Sequence, residues 1–594
     1  GVLSIRYRWT GPEAELQLKP IFDLRHMFYY SDPEGHQIAR QEARLLTVAN
    51  HRQVAIATSQ DFSLQPERQV WDLFYRLGSG DREGVQGQVQ FKREYFRGVT
   101  LGRMVFRLAD EVGLTVAAAA TEEEAVQAAR DVLVEHGGLA AAQDAAYAAC
   151  AAALPEASPE VVTRAYVMAE KFGIPIGGYR VPEVGGWWFR TAWLRPLFVS
   201  LLHNHRTLER LGRAGRIRDA LHLALRYQDP ESGRLPNRLP DHTADLAHFQ
   251  RTGRLPSDFY QNADPVLTLF VLLSEHALYL DEPQLATDLY ALFKRTLTAF
   301  ETPGCPGAPA LAKTGLLLTV PHYSWINGRR TLTVDGFEVA DLPIRVDRQW
   351  QSEAIRHFQD AHYAREQYQQ SAFYLPEINA QWIRMLEVGL SLCDLVGDSA
   401  LADKTRRLYD RAIGNYKRLF WNSGVGFLYN LITKEGRPDP MVTSPGIEAV
   451  ALLGSRVFTR QELAAVWTTV RSHLLVSRSR GGRPAAFGVI AKDSAERIFF
   501  GDEQYHEAVC WPRETPHLLR ILSELDEHAA LEEFLATNLA HQLEEGVVFY
   551  ASEILSLPEG INPAPNLATG QDPVPVKNPM QWASLWCDPY LARV

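Results

Sequence analysis

Residues 113–138 read GLTVAAAATEEEAVQAARDVLVEHGG, and the spacing of the apolar residues changes within this stretch. The part before residue 121 is a short apolar run, which is typical of a buried strand. From Thr121 onward the apolar residues recur with helical spacing. Thr121 is suited to cap the helix, three glutamates fill its first turn and two glycines end it. The stretch therefore predicts the point where a β-domain gives way to an α-domain.

Residues 1–119 consist of short alternating runs separated by Gly, Pro, Asp and Asn. Examples are LSIRYRW (3–9), AELQLKPI (14–21), ARLLTVAN (43–50) and QVAIATS (53–59). A period of two interrupted by turn residues predicts an antiparallel β-sandwich over 1–119. Because the chain begins Gly-Val-Leu, already inside a strand-like run, we expect this domain to be incomplete at its start.

Residues 120–594 are predicted to be mainly α-helical. Many of the amphipathic segments come in pairs joined by short Gly, Asp or Pro turns, which favours an (α/α)6 toroid of about six antiparallel helix pairs. The functional loops are then expected at one end of the toroid. The predicted helices cover 121–138, 158–171, 191–212, 263–279, 283–300, 345–369, 378–396, 399–419, 460–474, 505–524, 527–542 and 578–592.

The overall composition excludes some classes of function. A net charge of −10 and a pI of about 6.0 argue against a nucleic-acid partner, which would require a basic surface. No run of 18 apolar residues occurs, so no membrane span is predicted. The five cysteines are widely spaced, which suits a reducing compartment, and we expect a cytoplasmic location. No pattern indicates an oligomeric state.

The segments between predicted helices combine aromatic side chains with amide or charged ones. Aromatic rings stack on the CH-rich faces of sugars, while Arg, Asn and carboxylates bind their hydroxyls. A single Trp at a helix end is more often a core residue, but a series at successive element ends favours one carbohydrate-binding pocket. The candidate substrate-binding residues are Trp188, Arg190, Thr191, Trp325, Arg329, Glu377, Trp382, Tyr505, His506, Trp511 and Trp582.

No motif for a metal or cofactor stands out. The sequence lacks HExxH, GxxxxGK[ST] and EF-hand patterns, and the His506–Glu507 pair has no further ligand at metal spacing. We therefore predict no metal and no cofactor.

Several of these segments resemble one known family, the glycogen-debranching-type amylo-α-1,6-glucosidases, and more broadly the glucoamylase-like (α/α)6 glycosidases. The resemblance extends over nearly the whole chain with the order of motifs preserved. It is carried by GGYRVPEVGGWWFRTAW (177–193), YSWINGRR (323–330), LPEINAQW (375–382), FWNSGVGFLYN (420–430) and YHEAVCWP (505–512).

The resemblance implies an inverting mechanism in which one carboxylic acid protonates the glycosidic oxygen and one carboxylate activates water. In the family, the acid is an Asp at the position of Asn327, and an amide cannot serve as a proton donor. Three interpretations stay open: an Asp-to-Asn variant that traps a ligand, another proton donor, or a protein that does not hydrolyse. Downstream carboxyl groups that could reach in are Asp335, Glu338 and Asp341.

A second departure is Thr191, where the family has an Asp that grips the released sugar. The resemblance therefore implies a different sugar, or a different sugar orientation, in the first subsite. The resemblance also implies two candidates for the general base, Glu553 and Glu559. Glu559 is preferred because its spacing to Gln581 and Trp582 is closer to that of the family. Glu377 is expected to accept hydrogen bonds from sugar hydroxyls, or else to be a first-turn residue that the helix dipole favours.

The leading hypothesis is an inverting glycoside hydrolase acting on an α-glucosidic or related bond in a small glycoside or α-glucan. Two alternatives use the same toroid. One is a carbohydrate-binding protein that lacks the proton donor. The other is a phosphorylase, which the neighbouring Arg329 and Arg330 would suit, although such arginine pairs are mostly solvated.

Overall fold

A computed structural model of the chain describes residues 2–24, 32–85, 88–171, 173–182, 191–240, 243–260, 262–305, 308–320, 324–325, 332–334, 337–339, 372–480, 482–493, 506, 509–544, 551–557, 574–577 and 585–592. The chain divides into two compact units, residues 1–149 and 150–594. The first unit includes the helix that begins after Thr121.

The first unit contains two antiparallel sheets. Their orders are β1-β8-β5-β4-β3 and β2-β7-β6. The strands are β1 Val2–Arg8, β2 Ala14–Leu18, β3 Gln37–Glu42, β4 Leu45–Ala49, β5 Gln53–Thr58, β6 Ser63–Val85, β7 Gln88–Leu108 and β8 Glu111–Ala119.

The larger sheet is covered on both faces, and β5 shows how. Val54 and Ile56 belong to a core to which the smaller sheet also contributes, mainly through β7. Ala55 and Ala57 point to the opposite face and pack on α1, Glu122–Val134. Alternate residues of a strand face opposite sides of the sheet. Large side chains therefore fill the space between the sheets, and alanines allow the helix to approach closely.

The start of α1 confirms the predicted cap. Thr121 Oγ1 accepts a hydrogen bond from the Glu124 backbone N–H, and the Glu124 side chain accepts one from the Thr121 backbone N–H. This reciprocal capping box satisfies two N–H groups that the first turn of a helix leaves free.

Sixteen α-helices lie within the described residues. After α1, these are α2 His136–Ala153, α3 Pro159–Tyr166, α4 Leu194–Leu202, α5 His205–Arg210, α6 Gly215–Arg226, α7 Thr243–Thr252, α8 Asp264–Glu275, α9 Pro283–Glu301, α10 Pro376–Val396, α11 Ser399–Phe420, α12 Pro445–Leu453, α13 Arg460–His473, α14 Thr515–Glu524, α15 His528–Glu544 and α16 Asp588–Leu591.

Five of these helices contact one another in succession: α4 with α8, α8 with α10, α10 with α12, and α12 with α14. The helix α10 is buried on nearly all sides over its first three turns, which is typical of a helix inside a core. It begins with Pro376 at its first position and ends at Gly397, whose φ of +77° is the left-handed conformation favoured at helix ends.

Short antiparallel strands fill the connections of the second unit. They are β9 Gly173–Ile176, β10 Tyr179–Pro182, β11 Ala310–Leu311, β12 Leu317–Thr319, β13 Leu332–Val334, β14 Phe337–Val339, β15 Phe373–Tyr374, β16 Trp421–Asn422, β17 Phe427–Leu428, β18 Leu431–Thr433, β19 Pro438–Asp439, β20 Leu475–Arg480, β21 Arg483–Val489, β22 Val509–Cys510, β23 Ile554–Ser556 and β24 Val574–Lys577. None of the described helices is both long enough and apolar enough to cross a membrane.

Some predicted helix positions were wrong. The helix expected over 505–524 begins only at Thr515, because Val509 and Cys510 form a strand and Pro512 opens a short 3-10 turn. The helices α2, α6, α7 and α12 were not predicted. The helix expected over 345–369 lies outside the described residues.

A glycine in α10 provides a test of its packing. A Cβ at position 389 would lie 2.3 Å from Cε2 and Cζ of Phe293 on α9. We expect Gly389→Ala to destabilise the protein by ~1–3 kcal/mol, because overpacking outweighs the better helix propensity of Ala. Urea unfolding measures the change. Gly414→Ala in α11, where a Cβ would meet nothing within 4 Å, is the matched control and should not destabilise. A stabilised Gly389→Ala would contradict this packing.

Candidate active site

The N-terminal ends of the five successive helices bring charged side chains together. Each such end carries one buried charged residue in its first turn or immediately before it. Four of them are carboxyl groups, which we call the carboxyl cluster. The residues are Arg195 of α4, Asp264 of α8, Glu377 of α10, Glu448 of α12 and Glu514 before α14.

Direct contacts link the members of this set. Arg195 Nε lies 2.6 Å from Asp264 Oδ2. Gln381 Nε2 on α10 donates a hydrogen bond of 2.6 Å to Glu448 Oε1 on α12. Because each contact joins the first two turns of neighbouring helices, the charged groups lie at one end of these helices.

Arg513 connects the carboxyl cluster to a group of aromatic rings. Its Nε lies 2.8 Å from Glu514 Oε1, and its Nη2 lies 3.7 Å from Glu448 Oε2. Its guanidinium carbon lies over the ring of Trp325, 4.3 Å from the ring centroid. A guanidinium stacked on an indole is held by a cation–π interaction that is stronger away from water.

Three ring side chains form the aromatic cluster: Trp325, His506 and Trp511. His506 stacks on Trp511 with centroids 5.2 Å apart and an angle of 6° between the planes. Trp325 meets both rings edge-on, at 5.6 Å from His506 and 5.5 Å from Trp511. Ile554 packs into the same apolar group, so the chain next to Glu553 also reaches the aromatic cluster.

Burial holds protons on two members of the carboxyl cluster. Loss of solvation raises the pKa of Glu448 to about 7 and that of Glu514 to about 8, and the charge of Glu377 adds to both shifts. Arg513 opposes both shifts. Burial also raises the pKa of Asp264, against the nearby charge of Arg195. At neutral pH, the Glu448–Glu514 pair therefore retains protons that a carboxyl group in water would have released.

The raised pKa values of Glu448 and Glu514 predict how the free energy of unfolding changes with pH. An unfolded Glu releases its proton near pH 4.5, whereas Glu448 and Glu514 keep theirs to about 7 and about 8. The folded state then binds more protons than the unfolded state, so the free energy of unfolding falls as pH rises through this range. Between pH 6.5 and 8 we expect a loss of ~2 kcal/mol from the two groups.

Urea unfolding at several pH values measures this loss. Buried histidines work in the opposite direction, because burial lowers the pKa of His203 and His541 to about 3 and that of His517 well below its usual value. Unfolded imidazoles still release protons between pH 6.5 and about 7.5, so the comparison with a variant isolates the two glutamates. The alkaline decline should be much smaller in the double variant Glu448→Gln/Glu514→Gln. An equal decline in that variant and in the wild type would assign it to other groups.

Several predicted site residues lie together with these clusters. Trp325, His506 and Trp511 form the aromatic cluster, and Glu377 belongs to the carboxyl cluster. Glu377 is the second residue of α10, so it is also a first-turn residue, as the alternative prediction had it. Glu553 is buried and directly precedes Ile554.

Two other predicted site residues donate hydrogen bonds to backbone carbonyl groups. Trp382 is fully buried, its Nε1 donates to the Gly315 carbonyl at 2.9 Å, and its ring packs on Phe300. These contacts identify it as a core residue rather than a sugar-binding one. The Thr191 hydroxyl donates to the Leu239 carbonyl at 3.2 Å. The remaining predicted residues lie outside the described part of the chain: Asn327, Glu559, Trp188, Arg190, Arg329, Tyr505 and Trp582.

Within the described residues, no group of three His, Cys, Asp or Glu side chains is placed to hold a metal ion. The carboxyl cluster is instead linked through the guanidinium groups of Arg195 and Arg513 and the amide of Gln381.

The sequence analysis missed Arg195, Asp264, Glu448, Arg513 and Glu514. Three of them share a sequence context: Asp264, Glu448 and Glu514 each lie within three residues of a Pro at the start of a helix, in ADPVL, SPGIE and WPRETP. The helix dipole favours a carboxyl group in the first turn whether that group is exposed or buried. The pattern therefore predicts neither the burial of these residues nor which helix ends meet.

Comparison with known proteins yields matches only among solved structures. No protein-family model and no curated protein matches the sequence. The structure of a GH63 mannosylglycerate hydrolase from Thermus thermophilus, in complex with Tris, matches 73% of this chain and 99% of its own, with 16% identity and a TM-score of 0.48. The same protein in complex with glucose matches with a TM-score of 0.46.

A bacterial glucoamylase complexed with acarbose matches over 99% of this chain and 78% of its own, with 11% identity and a TM-score of 0.53. At this level of identity the likeness concerns the fold. The chain therefore has a glucoamylase-like fold.

Proposed function

We propose that this protein is a glycoside hydrolase that cleaves an α-glucosidic or related bond in a small glycoside or α-glucan, with inversion of configuration. The observation that carries the proposal is the linkage through Arg513. Its guanidinium stacks on Trp325, and its Nη2 and Nε meet Glu448 and Glu514, whose pKa values burial raises to about 7 and about 8. Together with the glucoamylase-like fold, this linkage supports acid catalysis beside a sugar-binding ring surface.

The aromatic cluster suits the binding half of this function. Indole rings present flat apolar faces to the CH groups of a pyranose, and Tyr, Trp and Arg commonly line such pockets. His506 and Glu377 would bind sugar hydroxyls. The two carboxylate roles require an acid and a base on opposite sides of the anomeric carbon, roughly 6.5–9.5 Å apart, to leave room for water.

We assign the proton donor to the Glu448–Glu514 pair, in place of the amide at Asn327. In the reaction, the acid gives its proton to the glycosidic oxygen as the bond from that oxygen to C1 breaks. The oxygen of a water molecule forms the new bond to C1, and the base takes the water proton. The base is Glu559 or Glu553.

The test is a panel of α-glucosides that includes isomaltose, panose and a limit dextrin. We expect glucose release, with β-glucose as the first product in proton NMR, because inversion at an α-linked C1 gives the β-anomer. Exclusive initial release of α-glucose would disprove inversion.

A second candidate function is carbohydrate binding without hydrolysis, and Asn327 is the observation that favours it. In that case, sugars of the panel raise the melting temperature through mass action, yet no glucose is released after prolonged incubation. If no member of the panel either stabilises the protein or releases glucose, both functions are excluded.

A further inference from the structure

A cavity that opens to solvent lies between the β9–β10 hairpin, α6 and α9. Its volume is about 390 Å³. This volume falls in the range of small-molecule sites. None of its lining residues belongs to the carboxyl cluster or the aromatic cluster, so the cavity is a separate candidate site.

The cavity has more positive than negative charge. Arg226 and Arg295 line it together with one carboxylate, Asp288. Neither arginine forms an ion pair with any acidic side chain of the described residues. The Arg226 Nη1 makes one long hydrogen bond of 3.5 Å to the Gly177 carbonyl, and Arg295 Nη2 donates to Gln228 Oε1 at 2.5 Å.

Neither guanidinium is neutralised by an acidic side chain of the described residues, although both line the cavity. An oxyanion that accepts from a guanidinium forms one of the stronger hydrogen bonds in proteins. The cavity therefore has unmet capacity for a negatively charged ligand.

One wall of the cavity is a pair of rings. Tyr179 and His222 stack with centroids 6.1 Å apart and 23° between their planes. The hairpin that carries Tyr179 turns at Gly177, where φ is +58° and a Cβ would approach Arg226 Nη1 to 3.0 Å. Glycine at this turn thus lets the hairpin rest against Arg226, which places the ring wall beside the guanidinium groups.

We propose that this cavity binds a phosphate group, either as inorganic phosphate or as part of a small phosphorylated sugar. Arg226 and Arg295 bind the phosphate oxygens, and the Tyr179–His222 wall faces the sugar ring. The planar guanidinium matches the geometry of phosphate oxygens. This binding site does not depend on the hydrolase activity.

Isothermal titration of the full chain with inorganic phosphate, glucose 6-phosphate and glucose tests the proposal. We expect both phosphates to bind at millimolar concentrations or below, with glucose 6-phosphate tighter because the ring wall contributes. Arg226→Gln and Arg295→Gln should each weaken the phosphate Kd by ~10-fold or more, the effect of losing one charge-assisted hydrogen bond. Arg218→Gln, which removes the same charge from α6 outside the cavity, should leave the Kd unchanged.

A further variant blocks the cavity without changing any charge. Ala291→Phe on α9 fills the cavity and should also abolish binding of glucose 6-phosphate, while circular dichroism confirms the fold. Binding of glucose alone would report the sugar-binding site and should not change in Arg226→Gln. Absence of heat with either phosphate, or equal affinity in Arg226→Gln, Arg295→Gln and the wild type, would overturn the proposal.

Discussion

Glu514→Gln is expected to lower kcat for a cleavable α-glucoside by ~10²–10⁴-fold, the usual contribution of a positioned general acid. The amide keeps the size of the side chain but cannot donate the proton that the leaving oxygen requires. Glu514 is suited to the role because burial raises its pKa to about 8 and because Arg513 joins it to Trp325. Initial rates at saturating substrate measure the effect.

The pH profile distinguishes this role from a structural one. With a proton donor of pKa about 8, kcat of the wild type falls as pH rises through that value, because the acid loses its proton. In Glu514→Gln, the residual rate should lack this alkaline decline. Glu275→Gln is the matched control. Glu275 also loses solvation, but it contacts Arg520 and Arg384, which lower its pKa, so its removal should affect stability and not the profile.

The variant Asn327→Asp tests whether the proton donor lies at position 327 instead. If the Glu448–Glu514 pair supplies the proton, a carboxyl group introduced at position 327 should change kcat by less than ~10-fold, well below the general-acid range. A gain of ~10²-fold or more, with Glu514→Gln leaving kcat unchanged in both backgrounds, would move the proton donor to position 327.

The second large effect concerns the base. We expect Glu559→Gln to lower kcat by ~10²–10⁴-fold, because water then loses the group that takes its proton. Azide should partly restore turnover in this variant, since it attacks C1 without being deprotonated, and the product should be the glycosyl azide of inverted configuration. Mass spectrometry and NMR identify that product.

Glu553→Gln is the control for the base. Glu553 is buried beside the aromatic cluster, so its replacement should change stability more than kcat. If Glu553→Gln instead shows the large loss and the azide rescue, the base is Glu553. If neither variant yields a glycosyl azide, the inverting mechanism with a single carboxylate base is wrong.

Local signals predicted many of the elements correctly. The cap at Thr121 and the span of α10 follow from side-chain chemistry within a few residues, and both appear in the structure close to the predicted positions. Prediction failed where the local signal was weak. The helix α12, PGIEAVALL, is apolar all round and short, so it has no polar face to show a helical period.

The sequence alone determined that a β-rich region precedes a long helical one and that aromatic and polar residues follow the helix ends. It could do so because periodicity and capping depend on neighbours a few positions apart. Only the tertiary structure decided which helix ends meet. Gln381 binds Glu448 across 67 positions, and Arg164 Nε binds the Trp586 carbonyl across 422. The raised pKa values arise from burial, which is a property of the assembled core. No stretch of sequence contains that information, because it is created only when distant segments exclude water together.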